Sequence, residues 1–201
     1  MFVQVIRGQV RDAEQVHAAL DHWSDQLADG APGWLGSTAG VTDDGQFVAL
    51  ARFESQDAAE RNSARPEQGQ WWDRTSRLFT GDVEFRDSTD VTADVTGDPD
   101  TAGFVQVMQG QGSDPERAKE LMAENPDEWA AYRPDVLGSV AIGEPDGHYT
   151  MALYFTSEQA AREGERKEPP AELKAQMEEM DKLSIGQPDF LDLHHPWIYS
   201  P

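Results

Sequence analysis

Cysteine is absent from the 201 residues, which excludes disulfides and thiolate metal sites and suits a reducing cytoplasm. Basic residues are scarce: 16 Lys and Arg stand against 38 Asp and Glu, for a formal charge of −22. A surface of that sign repels phosphate backbones and anionic bilayers, so neither nucleic acid nor membrane is an expected partner. Long apolar runs are missing as well. No stretch approaches the roughly 20 residues that a membrane helix requires. The opening residues 1–6 lack the basic start and long apolar run of a secretory signal. There is no HExxH, phosphate-cradling glycine loop, nucleophile elbow or dinucleotide fingerprint. The expectation is a cytoplasmic protein with neither a metal nor a resident cofactor.

What is present is repetition. Phe2-Val3-Gln4-Val5-Ile6-Arg7-Gly8-Gln9 returns as Phe104-Val105-Gln106-Val107-Met108-Gln109-Gly110-Gln111, an offset of 102. The same offset relates Leu35-Gly36-Ser37 to Leu137-Gly138-Ser139, Gly45 to Gly147, Phe53-x-Ser55 to Phe155-x-Ser157, and Ala58-Ala59 to Ala160-Ala161. One register held across unrelated residue types reads as an internal duplication.

Within the first copy, Phe2 to Gly8 predicts a strand. A helix capped by Asp12 follows, with Val16, Leu20, Trp23 and Leu27 at helical spacing. Trp34 to Val41 and Gln46 to Phe53 predict strands around the hairpin signal Asp44-Gly45. Phe47-Val48-Ala49-Leu50-Ala51 is apolar without alternation, which implies cover on both sides. Ser55 caps a helix that Arg65-Pro66 interrupts, and Gly81 to Phe85 predicts a fourth strand. The second copy repeats the order, with Pro126 breaking its first helix and the last strand expected over Gly186 to Leu193. The fold class is therefore α+β: two ferredoxin-like β-α-β-β-α-β repeats. The divisions are 1–87 for the first repeat, 88–103 for a linker, 104–193 for the second repeat, and 194–201 for a C-terminal tail without counterpart in copy one.

This pattern resembles the dimeric α/β barrel superfamily, and within it the antibiotic-biosynthesis-monooxygenase-like domains. The likeness rests on the strand order, on Trp34-Leu35-Gly36 with Leu137-Gly138, and on the strand followed by Ser55 or Ser157-x-x-Ala-Ala. The resemblance implies repeats packed as an intramolecular pseudo-dimeric α/β barrel, monomeric as a pseudo-dimer, with a higher homo-oligomer left open. It further implies binding of a small hydrophobic, aromatic or polyketide-like molecule and cofactor-independent oxygenation. The alternative is a non-catalytic ligand-binding or stress-related barrel.

In the resembling family the ligand cavity lies between sheet and helices. That points to Trp71 and Trp72 for stacking a planar ligand, with Asn62 and Arg65 orienting it. Copy two carries no indole pair after its equivalent run, so a single pocket is expected in copy one. The other reading of Trp71 and Trp72 is core filling. Gln4 and Gln106, at equivalent points of the first strands, are polar ligand contacts or else amides satisfied by a neighbouring strand. His22, beside Trp23, is the candidate proton acceptor. His194-His195 makes a poor metal pair, because adjacent strand residues face opposite ways. If the barrel reading holds, residues 1–103 and 104–201 expressed apart will associate on mixing in size-exclusion chromatography. Two independent monomers would refute it.

Overall fold

Alternation along β1 (Phe2–Gln9) sends Phe2, Gln4 and Ile6 to one side and Val3, Val5 and Arg7 to the other. The computed structural model describes residues 1–201 and divides into two units: Met1–Val91 with His195–Pro201, and Thr92–His194. In the first, β1 lies between β3 (Gln46–Phe53) and β4 (Glu84–Ser88), both antiparallel to it. Strand β2 (Trp34–Val41) pairs with the far side of β3. Helices α1 (Ala13–Gln26), α2 (Gln56–Ser63) and α3 (Pro66–Thr75) complete the β-α-β-β-α-β order. Phe2, Trp34 and Phe53 meet Trp23, Ala58, Ala59 and Trp71 of these helices in one apolar cluster. The alternate residues Val3, Val5, Val48 and Leu50 are buried too, so β3 is covered on both faces, as its apolar run predicts, and β1 beside it is covered over much of both.

The second unit follows the same plan. Strand β6 (Phe104–Gln111) lies between β8 (His148–Phe155) and β9 (Asp189–Leu193), and β7 (Val136–Gly143) pairs with β8. Its helices are α4 (Pro115–Met122), α5 (Pro126–Tyr132), α6 (Glu158–Glu165) and α7 (Ala171–Leu183). Asn125, at φ 53°, turns the chain between α4 and α5 at the break predicted from Pro126. Asp12, Ser55, Asp114 and Ser157 cap helices through the amide three residues on, at 3.0 to 3.2 Å. Each such cap is worth about 1 kcal/mol. The α+β class and the two ferredoxin-like repeats are thus those read from the sequence.

Four assignments differ. The fourth strand runs over Glu84–Ser88, not 81–85, and its counterpart over Asp189–Leu193, not 186–193. Pairing decides this: Arg7 faces Glu84 and Val3 faces Ser88, so β1 selects which residues enter the ladder. The stretch 88–103, expected as a linker, contains β5 (Val91–Val95) beside β7 in the second sheet. The tail 194–201 contains β10 (Trp197–Tyr199), which pairs antiparallel with β2 in the first.

These two outer strands are equivalent. An offset of 105 lays Trp197–Tyr199 over residues 92–94, so the strand following each repeat completes the sheet of the other repeat. Both sheets make room in the same way. The register slips between Trp34 and Gly36, and again between Val136 and Gly138. A Cβ on Gly36 would lie 2.7 Å from the Tyr199 carbonyl oxygen, and one on Gly138 2.7 Å from that of Asp94. Gly36 also sits at φ +117°, where a side chain is strained. Gly36→Ala will therefore lose about 1–3 kcal/mol of stability in urea unfolding. An unchanged midpoint would show that β10 yields freely at this position.

Candidate functional site

The residues singled out in copy one lie together, and they are occupied with packing. Trp71 is buried, and its indole N–H donates to the Ala19 carbonyl oxygen at 2.8 Å. Trp23 donates to Gln68 Oε1 at 2.6 Å and Trp34 to Ser37 Oγ at 3.0 Å. The Trp23 ring meets Trp34 edge-on at 5.1 Å and Trp71 at 6.4 Å. Trp72 is half-buried against Trp71, Phe79 and Phe85. Beneath the indoles the sheet offers small residues, Ala39, Ala49 and Ala51, so large side chains fall opposite small ones.

Asn62 and Arg65 form a clasp. Arg65 Nη1 donates to Asn62 Oδ1 at 2.9 Å and to the Leu27 carbonyl oxygen, at the end of α1, at 3.0 Å. His22 is exposed: its neighbour Trp23 turns inward, and one helical step carries the imidazole to the solvent side. The structure thus places His22 away from the cluster it was expected to serve. Gln4 Nε2 donates to Asp87 Oδ1 at 2.9 Å on the neighbouring strand.

Copy two keeps the frame and loses the indoles that copy one has at positions 23, 34 and 71. Gln176 Nε2 donates to the Leu121 carbonyl oxygen, as Trp71 does to that of Ala19. Ala19 and Leu121 are 102 apart, and Trp71 and Gln176 are 105 apart, three residues having entered before α7. Asn125 stands where copy one has Trp23, and Val136 where it has Trp34. Gln176 Oε1 accepts from Trp129 Nε1 at 3.0 Å and from Asn125 Nδ2 at 3.3 Å, tying α7 to the junction of α4 and α5. The helix contact survives, and the aromatic volume over the sheet does not.

The result is a partly open apolar floor. Phe104, Phe155 and Ala161 of α6 close one end, with Leu153 packed against them. Met108, Ala141, Met151 and Leu153 lie on that same helix side by register, and each keeps partial exposure. Tyr149 shares the side, and burial raises its hydroxyl pKa. At the closed end the floor becomes polar. Gln106 is buried and donates to Asp192 Oδ1 at 2.8 Å, and Asp192 Oδ2 accepts from Arg162. The Arg162 guanidinium carbon lies 5.1 Å from the centre of the Phe104 ring. His194 Nδ1 is 2.8 Å from Glu158 Oε2, and Arg162 Nη2 is 3.5 Å from Glu158 Oε1.

Of the predicted residues, only Gln106 belongs to this floor. The signal for the rest was the helix alignment, since an offset of 105 after α6 puts Gln176 at the position of Trp71. No three His, Asp or Glu side chains are grouped to hold a metal ion. A depression of about 280 Å³ in the first unit is lined by Arg7, Gln46, Asp82 and Glu84, and Arg7 is there bonded to Gln46 at 3.1 Å.

No family model matches the sequence. No curated protein matches it either. Solved structures do. A candidate monooxygenase from Lactobacillus acidophilus superposes with a TM-score of 0.76 at 11% identity, over 99% of this chain and 95% of that one. A candidate monooxygenase from Fusobacterium nucleatum subsp. nucleatum gives 0.77 at 11% identity, over 99% and 94%. An anthrone oxidase-like protein gives 0.63 at 13% identity, over 98% and 93%.

The packing reading of the indoles carries a test. Trp71→Phe will cost about 1–3 kcal/mol in urea unfolding, by removing a buried indole hydrogen bond and part of the ring that packs against Trp23 and Trp72. Arg65→Ala will cost a similar amount by opening the clasp. Stability within ~0.5 kcal/mol of the parent in both would return these side chains to the list of ligand-binding candidates. At the level of fold, the chain is similar to these solved structures over nearly its whole length, with two ferredoxin-like halves carried on one polypeptide.

Proposed function

We propose that this is a cytoplasmic, antibiotic-biosynthesis-monooxygenase-like protein that binds a small aromatic or polyketide-like molecule in its second repeat. The observation that carries the reading is the partly exposed floor of Met108, Ala141, Met151 and Leu153, ending in the Gln106–Asp192–Arg162 chain. A flat apolar ligand would remove that floor from water at roughly 25 cal/mol per Å² buried, and the polar end would fix its orientation. The anthrone oxidase-like protein is similar over nearly the whole chain, and its name points to a tricyclic aromatic ligand class. If oxygenation follows binding, a ring CH₂ becomes C=O, one atom of O₂ enters the product and the other leaves as water. The chain's own part is then to hold the substrate beside O₂ and exclude bulk water.

Binding without turnover is the second reading, and the engagement of the polar groups favours it. Both Asp192 oxygens accept hydrogen bonds, and burial keeps the Tyr149 hydroxyl protonated. These groups are better suited to orientation than to proton removal.

Titration calorimetry with tricyclic phenols and anthrones should give dissociation constants below roughly 100 μM, near −5.5 kcal/mol. Met151→Trp, which restores indole volume over the floor, should weaken binding at least tenfold while the fold is retained by circular dichroism. Absence of binding below about millimolar would end both readings. Oxygen uptake with a bound ligand then separates catalysis from binding alone.

A further inference from the structure

The floor of the second repeat has lost cover beyond the position of Gln176. An offset of 105 also sets Met177 at the position of Trp72, Ser184 at that of Phe79 and Phe190 at that of Phe85. The isolated bridges agree, Val10 pairing with Phe79 in copy one and Gly112 with Ser184 in copy two. In copy one Trp72 meets Phe85 edge-on at 5.3 Å, and the Phe79 ring lies over Gly8, 2.5 Å from where a Cβ would stand. In copy two Met177 and Phe190 are 43% and 56% exposed, and Phe190 is the register partner of Met108. Gly110 is covered instead by Tyr149, its own register partner. The floor therefore opens at its β9 edge.

At the head of this floor the Gln106 amide has a fixed orientation. Its Nε2 donates to Asp192 Oδ1 at 2.8 Å, and a carboxylate only accepts, so the nitrogen must face it. Arg162 holds the other Asp192 oxygen and keeps the carboxylate in place. Oε1 is thereby turned away from Asp192. It accepts from no group of the protein and is not sealed from solvent. Leu153 lies opposite Gln106 and Met151 opposite Met108, so a free acceptor stands at the start of an apolar run. Tyr149, level with Gly110, ends that run four residues on, roughly 13 Å away.

We propose that Gln106 Oε1 selects the ligand of this floor: a fused aromatic molecule bearing a hydroxyl group, bound with the hydroxyl protonated and donating to Gln106. The selection presupposes the aromatic ligand of the preceding reading and narrows it to hydroxylated members. A molecule that covers the floor also covers Oε1, and an acceptor covered without a donor forfeits its hydration. An ether leaves it unpaired, and a phenolate brings it a second acceptor. A neutral hydroxyl satisfies it.

2-Hydroxyanthracene and 2-methoxyanthracene share one ring system and differ in the donor. Fluorescence titration of the full-length protein should give a dissociation constant about tenfold lower for the hydroxyl compound. In Gln106→Met, with circular dichroism unchanged, the two constants should come within about twofold of each other, through weaker binding of the hydroxyl compound alone. Equal or tighter binding of the ether by the parent would overturn the selection and leave ligand binding by the floor standing. That comparison needs no variant to fold. A hydroxyl preference that survives Gln106→Met would overturn the selection too, by placing the acceptor elsewhere. Failure of both probes to bind would instead end the underlying reading, and the selection with it.

Discussion

Within its own repeat, β2 or β7 would end the sheet as a long strand with its outward N–H and C=O groups unpaired, and here borrowed strands cover them and become the shorter edges. Strand β2 receives β10 and β7 receives β5, each from the segment that follows the other repeat. The demand is electrostatic before it is topological. An open edge pairs with whatever extended chain arrives, and aggregation is the usual cost of leaving it bare. The glycines at 36 and 138 serve that pairing. Their missing side chains admit a carbonyl oxygen where a Cβ would collide, and the register slip beside each one turns the strand to receive its neighbour.

With the edges satisfied alike, the repeats differ in what lies over their floors. Copy one sets Trp23, Trp34 and Trp71 over alanines and fills the space. Copy two sets Asn125, Val136 and Gln176 at the corresponding points, over Met151 and Leu153. The backbone bond from α7 to α4 is retained, so the helix keeps its station while the side chain that made the bond has shrunk. Removing an indole from a packed core normally costs several kcal/mol, through lost transfer energy and an unfilled cavity. Larger floor residues and the amide hub around Gln176 offset part of that cost. Some apolar surface nonetheless stays in contact with water, and it is this surface that a ligand could cover.

Much of this was legible from the residues. The offset of 102 fixed the element order, the cap residues fixed the helix starts, and the apolar run Phe47–Ala51 announced a strand dry on both sides. Three features escaped. Strand β10 is three residues long, too short to show a period, and β5 alternates Val91, Ala93 and Val95 with Thr92 and Asp94 but stays largely exposed, so pairing with a partner is what makes them strands. The extra residues before α7 hid the match of Trp71 with Gln176, and with it the contrast between filled and open floors. Trp71 and Trp72 drew attention as rare aromatics. A ligand-binding indole and a core indole look identical in sequence, and what separates them is whether the N–H already has a backbone acceptor.

The polar end of the second floor also shows how a repeated frame can acquire new chemistry from few substitutions. Gln4–Asp87 and Gln106–Asp192 are the same cross-strand pair at 2.9 and 2.8 Å. In copy one the position equivalent to Arg162 is Glu60, so Asp87 receives no guanidinium from α2. In copy two the arginine reaches across Phe104 to Asp192, and Glu158 and His194 extend the chain of charges. A carboxylate and an amide held by a cation against an aromatic face are more rigid than the exposed pair they derive from, because three groups now fix one geometry. That rigidity sits at the closed end of the apolar floor in the half that kept its floor open, so orientation and apolar cover meet on the same helix side of one sheet.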